Sequence, residues 1–132
     1  MRWWLAVWCW LVGVVVASAA VVNGDSVPSG TLASAQAATG VSANSVRLRK
    51  EGKKRWLFVT YRNTAGTAAL QLEVNCTGAA TDWVAVPSSG KSLTVGADGA
   101  AVEQPACEYR TNVTACTACA VTAIYDVGSE IQ

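Results

Sequence analysis

Trp56-Leu57-Phe58-Val59-Thr60-Tyr61 is the most strand-like run in this sequence, and Asn63-Thr64-Ala65-Gly66 turns the chain back directly after it. β-Branched and aromatic residues suit a pleated, half-buried surface, while Asn and Gly supply the conformations a reversal needs. Beyond the turn, Leu70, Leu72, Val74 and Cys76 share one face, and Gln71, Glu73 and Asn75 take the other. That period of two marks a strand with one buried and one wet side.

The same period extends in both directions. Upstream, Val46 and Leu48 alternate with Arg47 and Arg49, and Glu51-Gly52-Lys53-Lys54 forms a turn into the strong strand. Downstream, Trp83–Val86 is a short strand stopped by Pro87. Ser88-Ser89-Gly90-Lys91 is a turn, Ser92–Val95 a strand, and Gly96-Ala97-Asp98-Gly99 another turn. Glu108–Thr114 and Ala120–Val127 complete the set. With no amphipathic helix among them, these runs predict an all-β domain over residues 46–132, an antiparallel β-sandwich or flattened barrel. Residues 21–45 are rich in Ser, Ala, Gly and Asn and predict an irregular lead-in with one short strand. Gly30 and Gly40 bracket Ala33–Ala38 too tightly for a stable helix.

Residues 1–20 have the make-up of an export signal. Arg2 gives a positive start, an apolar run follows from Trp3, and Ala17-Ser18-Ala19-Ala20 offers small side chains for cleavage. The competing reading is an uncleaved anchor, since Trp3 to Val22 is long enough to cross a thin bilayer at ~1.5 Å per residue. Small residues at the end of the run, and no basic residues straight after it, favour cleavage. No later stretch is long and apolar enough to span a membrane, so a secreted or lumenal protein is expected.

Removing the signal leaves about 110 residues, enough for one modest core. Ten Lys and Arg less Arg2 leaves nine, against nine Asp and Glu. A formally neutral domain argues against a nucleic-acid partner. Six basic residues do cluster at Arg47, Arg49, Lys50, Lys53, Lys54 and Arg55, offset only by Glu51. Such a run reads either as a solvated hairpin guarding a sheet edge or as a patch for a sulfated or phosphorylated ligand or anionic lipid headgroups.

The chain has no histidine, which removes Ser-His and Cys-His nucleophile pairs and His-bound metal sites. No pair of carboxylates is spaced to lie on one rigid face, so hydrolysis by two acids is unsupported. A non-enzymatic protein without cofactor or metal is expected. Four cysteines survive signal removal: Cys76, Cys107, Cys116 and Cys119. An even number in a small exported domain implies two disulfides, with three possible pairings. Cys116-Thr117-Ala118-Cys119 lacks the βαβ surroundings of a redox CxxC. Asn75-Cys76-Thr77 and Asn112-Val113-Thr114 are N-glycosylation sequons.

Glu103-Gln104-Pro105-Ala106-Cys107-Glu108-Tyr109, continued by the alternating run to Ala118-Cys119, resembles the end of a mannose 6-phosphate receptor homology (MRH) domain, the P-type lectin module. Leu70–Cys76 also looks like that family's middle strand. The resemblance implies a lectin-like, non-catalytic fold binding mannose on N-linked glycans or glycoproteins, with Glu103 and Tyr109 contacting sugar hydroxyls. It implies the pairings Cys76–Cys119 and Cys107–Cys116. Where the family carries an arginine, this chain has Ala68. An alternative is therefore a secreted structural or protein-interaction module on the same scaffold without sugar binding. An unrelated disulfide-stapled β-domain is a third reading.

Overall fold

The computed structural model describes residues 20–49, 55–103 and 105–129. Eleven strands fill them: β1 (Ala20–Asn23), β2 (Ser29–Gln36), β3 (Gly40–Val41), β4 (Asn44–Arg47), β5 (Arg55–Asn63), β6 (Thr67–Asn75), β7 (Val84–Ala85), β8 (Lys91–Leu93), β9 (Gly96–Glu103), β10 (Glu108–Thr117) and β11 (Val121–Ser129). They form two sheets. The first runs β1-β4-β10-β6-β7, with β3 also on β10 and β8 also on β6; the second runs β2-β11-β5-β9. All the ladders are antiparallel except the parallel pair β1 and β4. The fold is an all-β sandwich.

The turn after β5 does more than reverse the chain. It carries the chain into the opposite sheet, so β5 and β6 face one another across the core instead of pairing. Leu57, Val59 and Tyr61 project inward from one sheet, Leu70 and Leu72 from the other. Val46, Tyr109 and Val113 extend the first layer, and Leu32, Val121, Ala123 and Tyr125 the second. Asn63, 1% exposed, fastens the corner. Its amide nitrogen donates to the carbonyls of Gly66 and Thr94, and its oxygen accepts from the Ala120 N–H. Gly66 sits at φ 54°, where a side chain would strike the Thr117 carbonyl.

The structure corrects three sequence expectations. Residues 21–45 are not an irregular lead-in, since β2, β3, most of β1 and part of β4 lie there. Small residues there serve packing: Gly30 leaves room for the Tyr125 ring, which a Cβ would approach to 2.9 Å. Gly96–Gly99 is not a turn but the first half of β9, which pairs with β5 from Asn63↔Gly96 to Trp56↔Glu103. At Gly99 a Cβ would press on the Val59 carbonyl, so a bare backbone is what allows that pairing.

The third correction concerns the cysteines. The disulfides are Cys76–Cys107 and Cys116–Cys119, not the pairing that the family resemblance implied. Register explains it. Asn75 lies opposite Glu108 in the β6–β10 ladder, so the next residues out, Cys76 and Cys107, meet with Cα atoms 4.9 Å apart. Cys119 is instead buried at the β10–β11 connection, with its sulfur near the Gln36 carbonyl.

Residues 1–19, and with them most of the expected export signal, lie outside the described residues, as does the turn at 51–54. No helix among the described residues is long and apolar enough to cross a membrane.

Non-reducing peptide mapping is expected to recover Cys76–Cys107 and Cys116–Cys119. From loop length, removing the first pair costs about 4 kcal/mol and the second about 2 kcal/mol, to be read from denaturant unfolding. Thr111 Oγ1 is buried without a hydrogen-bond partner among the described residues. Thr111→Val should therefore hold or raise the melting temperature, by up to about 1 kcal/mol in stability.

Candidate functional site

Strict alternation along β5 decides what the second sheet shows to solvent. Its burial runs inward at Leu57, Val59 and Tyr61 and outward at Trp56, Phe58, Thr60 and Arg62. The outward aromatics are nearly parallel, with ring centroids 6.2 Å apart and 16° between planes. Phe58 is 46% exposed, and Ile124 on β11 is 47% exposed. Around them the surface is kept low. Gly128 lies opposite Trp56, and Ala101 opposite Phe58. A Cβ on Gly128 would already touch the Phe58 ring at 3.4 Å. Polar groups border the patch: Glu103 is the register partner of Trp56, and Asp126 that of Phe58.

The aromatic residues of the described chain are sorted against their polarity. All three tyrosines are buried, and the only phenylalanine and both described tryptophans are not. The Tyr125 hydroxyl donates to the Val27 carbonyl, which satisfies its polar end. Burial pushes the Tyr61 hydroxyl well above its ordinary pKa, with the Asp98 charge adding to the shift. Burial also raises Tyr109 and Tyr125. Apolar rings outside and phenols inside reverse the usual transfer preference. A flat, apolar, outward aromatic surface is suited to stacking against a ligand.

The outer face of the first sheet is polar and self-satisfied. Glu73 accepts from Arg110 Nε at 2.9 Å, Asn112 Nδ2 at 3.0 Å and Gln71 Nε2 at 3.1 Å. Burial acts to raise its pKa, but the three donors outweigh burial and hold the carboxyl below the ordinary value. The Arg110 guanidinium also lies 3.9 Å from the Trp83 ring centroid, which clamps the segment leading to β7 onto the sheet. Nearer the sheet edge, Glu108 accepts from Arg47 at 2.7 Å and Ser45 at 3.1 Å.

Glu103 and Tyr109, expected to share a sugar, are not brought together. Tyr109 is 4% exposed and faces the interior from the first sheet, whereas Glu103 is exposed at the end of β9 in the second. Ala68 also points into the core, 4% exposed, so an arginine there would not reach an outer face. Of the two sequon asparagines, Asn75 is 7% exposed and its side chain organises the following turn, donating to the Ala79 carbonyl and accepting from Thr77 and Gly78. Asn112 is engaged with Glu73. Sequence reading missed Trp56 and Phe58 as site residues because it valued them only as strand formers. The available signal was their phase, opposite to Leu57 and Val59.

No protein-family model and no curated protein matches the sequence. Among solved structures, the chain is similar to the N-terminal cellulose-binding domain of Cellulomonas fimi β-1,4-glucanase C, with 16% identity and a TM-score of 0.38 over 79% of this chain and 78% of that one. It is also similar to the globular domain of zebrafish complement 1qA protein, with 15% identity and a TM-score of 0.33 over 61% of this chain and 65% of that one.

Because Glu73 titrates lower when folded than when unfolded, its contribution is complete above the unfolded value of about 4.3 and is lost as pH falls through the folded value. Glu73→Gln should cost about 2 kcal/mol at neutral pH, by stranding Arg110. It should also flatten the acid limb of a stability-versus-pH curve relative to the wild type, as measured by urea unfolding from pH 7 to pH 3.

Proposed function

We propose that this is a non-catalytic glycan-binding domain of the secretory pathway, with its binding face on the outer side of the second sheet. The observation that carries this reading is the near-parallel, outward-facing pair of half-buried Trp56 and exposed Phe58, with Gly128 and Ala101 opposite them. The C–H faces of a pyranose ring stack on such a surface, and the ring's hydroxyls need acceptors at its margin. Glu103 and Asp126 stand at that margin. The site thus keeps one of the two residues that the MRH resemblance nominated, Glu103, and replaces buried Tyr109 with the aromatic pair. Mannose-terminated N-glycans, the class that resemblance implies, are the first ligands to test.

A binding rather than catalytic role is supported by the chemistry on the surface. Glu73, Glu108 and Asp25 each pair with an arginine, and the chain has no histidine to move a proton near neutral pH. Two disulfides fit an oxidising, extracellular or lumenal compartment.

Glycan-array binding followed by calorimetry tests the proposal. Trp56→Ala and Phe58→Ala are each expected to weaken binding by about tenfold or more, matching about 1–3 kcal/mol for a lost ring contact. Glu103→Gln should weaken it less, and Tyr109→Phe only through stability. No binding to any glycan, or binding indifferent to Trp56 and Phe58, would leave the scaffold as a structural or protein-interaction module.

A further inference from the structure

The basic cluster singled out in the sequence does not fold as a row of solvated charges. Arg55 turns inward, with its side chain 7% exposed. It donates to Asp25 Oδ1 at 2.6 Å and also to the Arg49 carbonyl. This fixes the chain on either side of residues 50–54 and holds the Arg49 backbone in place, where its N–H also donates to Asp25 Oδ2 at 3.2 Å. Arg47 and Arg49 project from the scaffold so formed.

Two clefts meet at these arginines. One, of about 430 Å³, is lined by Arg47, Arg49, Asn75, Thr77 and Glu108 beside the Cys76–Cys107 disulfide. The other, of about 300 Å³, is lined by Arg47, Arg49, Val21, Asn23 and Asp25. Both acids bordering them are already engaged. Asp25 is held by Arg55, which keeps its pKa below the ordinary value, and Glu108 by Arg47 and Ser45. The Arg47 side chain donates to Glu108 and is still 62% exposed. The Arg49 side chain makes no ion pair among the described residues and lines both clefts. Among the described residues Asp25 is taken up by Arg55 and Glu108 by Arg47, and the guanidinium forks of Arg47 and Arg49 remain at the surface.

We propose that the paired clefts at Arg47 and Arg49 bind the sulfate groups of a sulfated polysaccharide. A guanidinium presents a planar, always charged fork that matches two oxygens of an oxoanion. Two such forks shared by adjoining clefts suit a ligand with repeated anionic groups better than a single free ion. Arg47 belongs to β4 of the first sheet, whereas the Trp56–Phe58 face belongs to the second. The groove therefore stands independently of the aromatic face.

Heparin affinity of the purified protein, read as the salt concentration for elution and as Kd by calorimetry, tests this. Arg47→Gln with Arg49→Gln is expected to weaken heparin binding by about tenfold or more, the scale of one to two charge-assisted contacts. Arg62→Gln, an exposed arginine on the far sheet, should leave it unchanged. Failure of the glycan face with heparin binding intact would sink only the former. The groove is overturned if the double arginine variant elutes with the wild type, or if neutralising Lys50, Lys53 and Lys54 abolishes binding while the arginine variant does not. It is equally overturned if the protein binds phosphatidylserine vesicles but not heparin.

Discussion

The two-residue period of β5 is the constraint on which the rest depends. This strand is central in the second sheet, paired with β11 on one side and β9 on the other. Its inward residues, Leu57, Val59 and Tyr61, are each no more than 1% exposed. Slipping its register by one residue would exchange that set for Trp56, Phe58 and Thr60 and break the layer. Burial of one face thus fixes the placement of the other. Nothing in core packing demands that the outward residues be aromatic, and threonine or lysine would satisfy the strand equally well. Aromatic side chains outside a sandwich whose core already contains three tyrosines are therefore a property of the surface.

The second constraint lies at the corners, where the chain changes sheets. β5 to β6 and β10 to β11 both cross between layers, and both crossings converge on Asn63 through the Gly66 carbonyl and the Ala120 N–H. The Cys116–Cys119 bridge tightens the second crossing. At the other end of the sandwich, Cys76–Cys107 closes the β6–β10 ladder, and the Arg55–Asp25 pair ties the start of β5 to the turn after β1. The ends are held covalently or ionically and the middle by apolar burial, a sound division for a core this small.

How much of this was legible depended on side-chain contrast. β5, β6, β10 and β11 alternate large apolar with polar residues, so their existence and inner faces could be read directly. β2 is Ser-Gly-Thr-Leu-Ala-Ser-Ala-Gln, whose alternation carries little hydrophobic contrast, and β1, β3 and β4 are too short for a period to show, apart from the Val46–Arg49 alternation that marks the end of β4. β9 begins Gly-Ala-Asp-Gly, turn chemistry by composition, and is a strand only because β5 offers it a full ladder along which glycine permits close approach. Disulfide pairing was beyond the sequence because it follows from register. Glu103 and Tyr109 are close in the chain, but the connection between β9 and β10 changes sheets, and proximity in sequence became separation across the core.

The same crossing explains why the two outer faces differ so sharply. On the first sheet, Glu73, Arg110, Asn112 and Gln71 bond to one another, and Trp83 lies under the Arg110 guanidinium. A ligand approaching there must displace bonds already made, in a setting where an unpaired buried charge is costly. On the second sheet, Trp56 and Phe58 stack on each other at the surface, with Gly128 and Ala101 opposite them on one side and the acids Glu103 and Asp126 on the other. A ligand approaching there displaces water from apolar rings, which is favourable. Stacking of the proposed glycan is therefore favoured on the second sheet, while the bonded network around Glu73 stiffens the middle of the first.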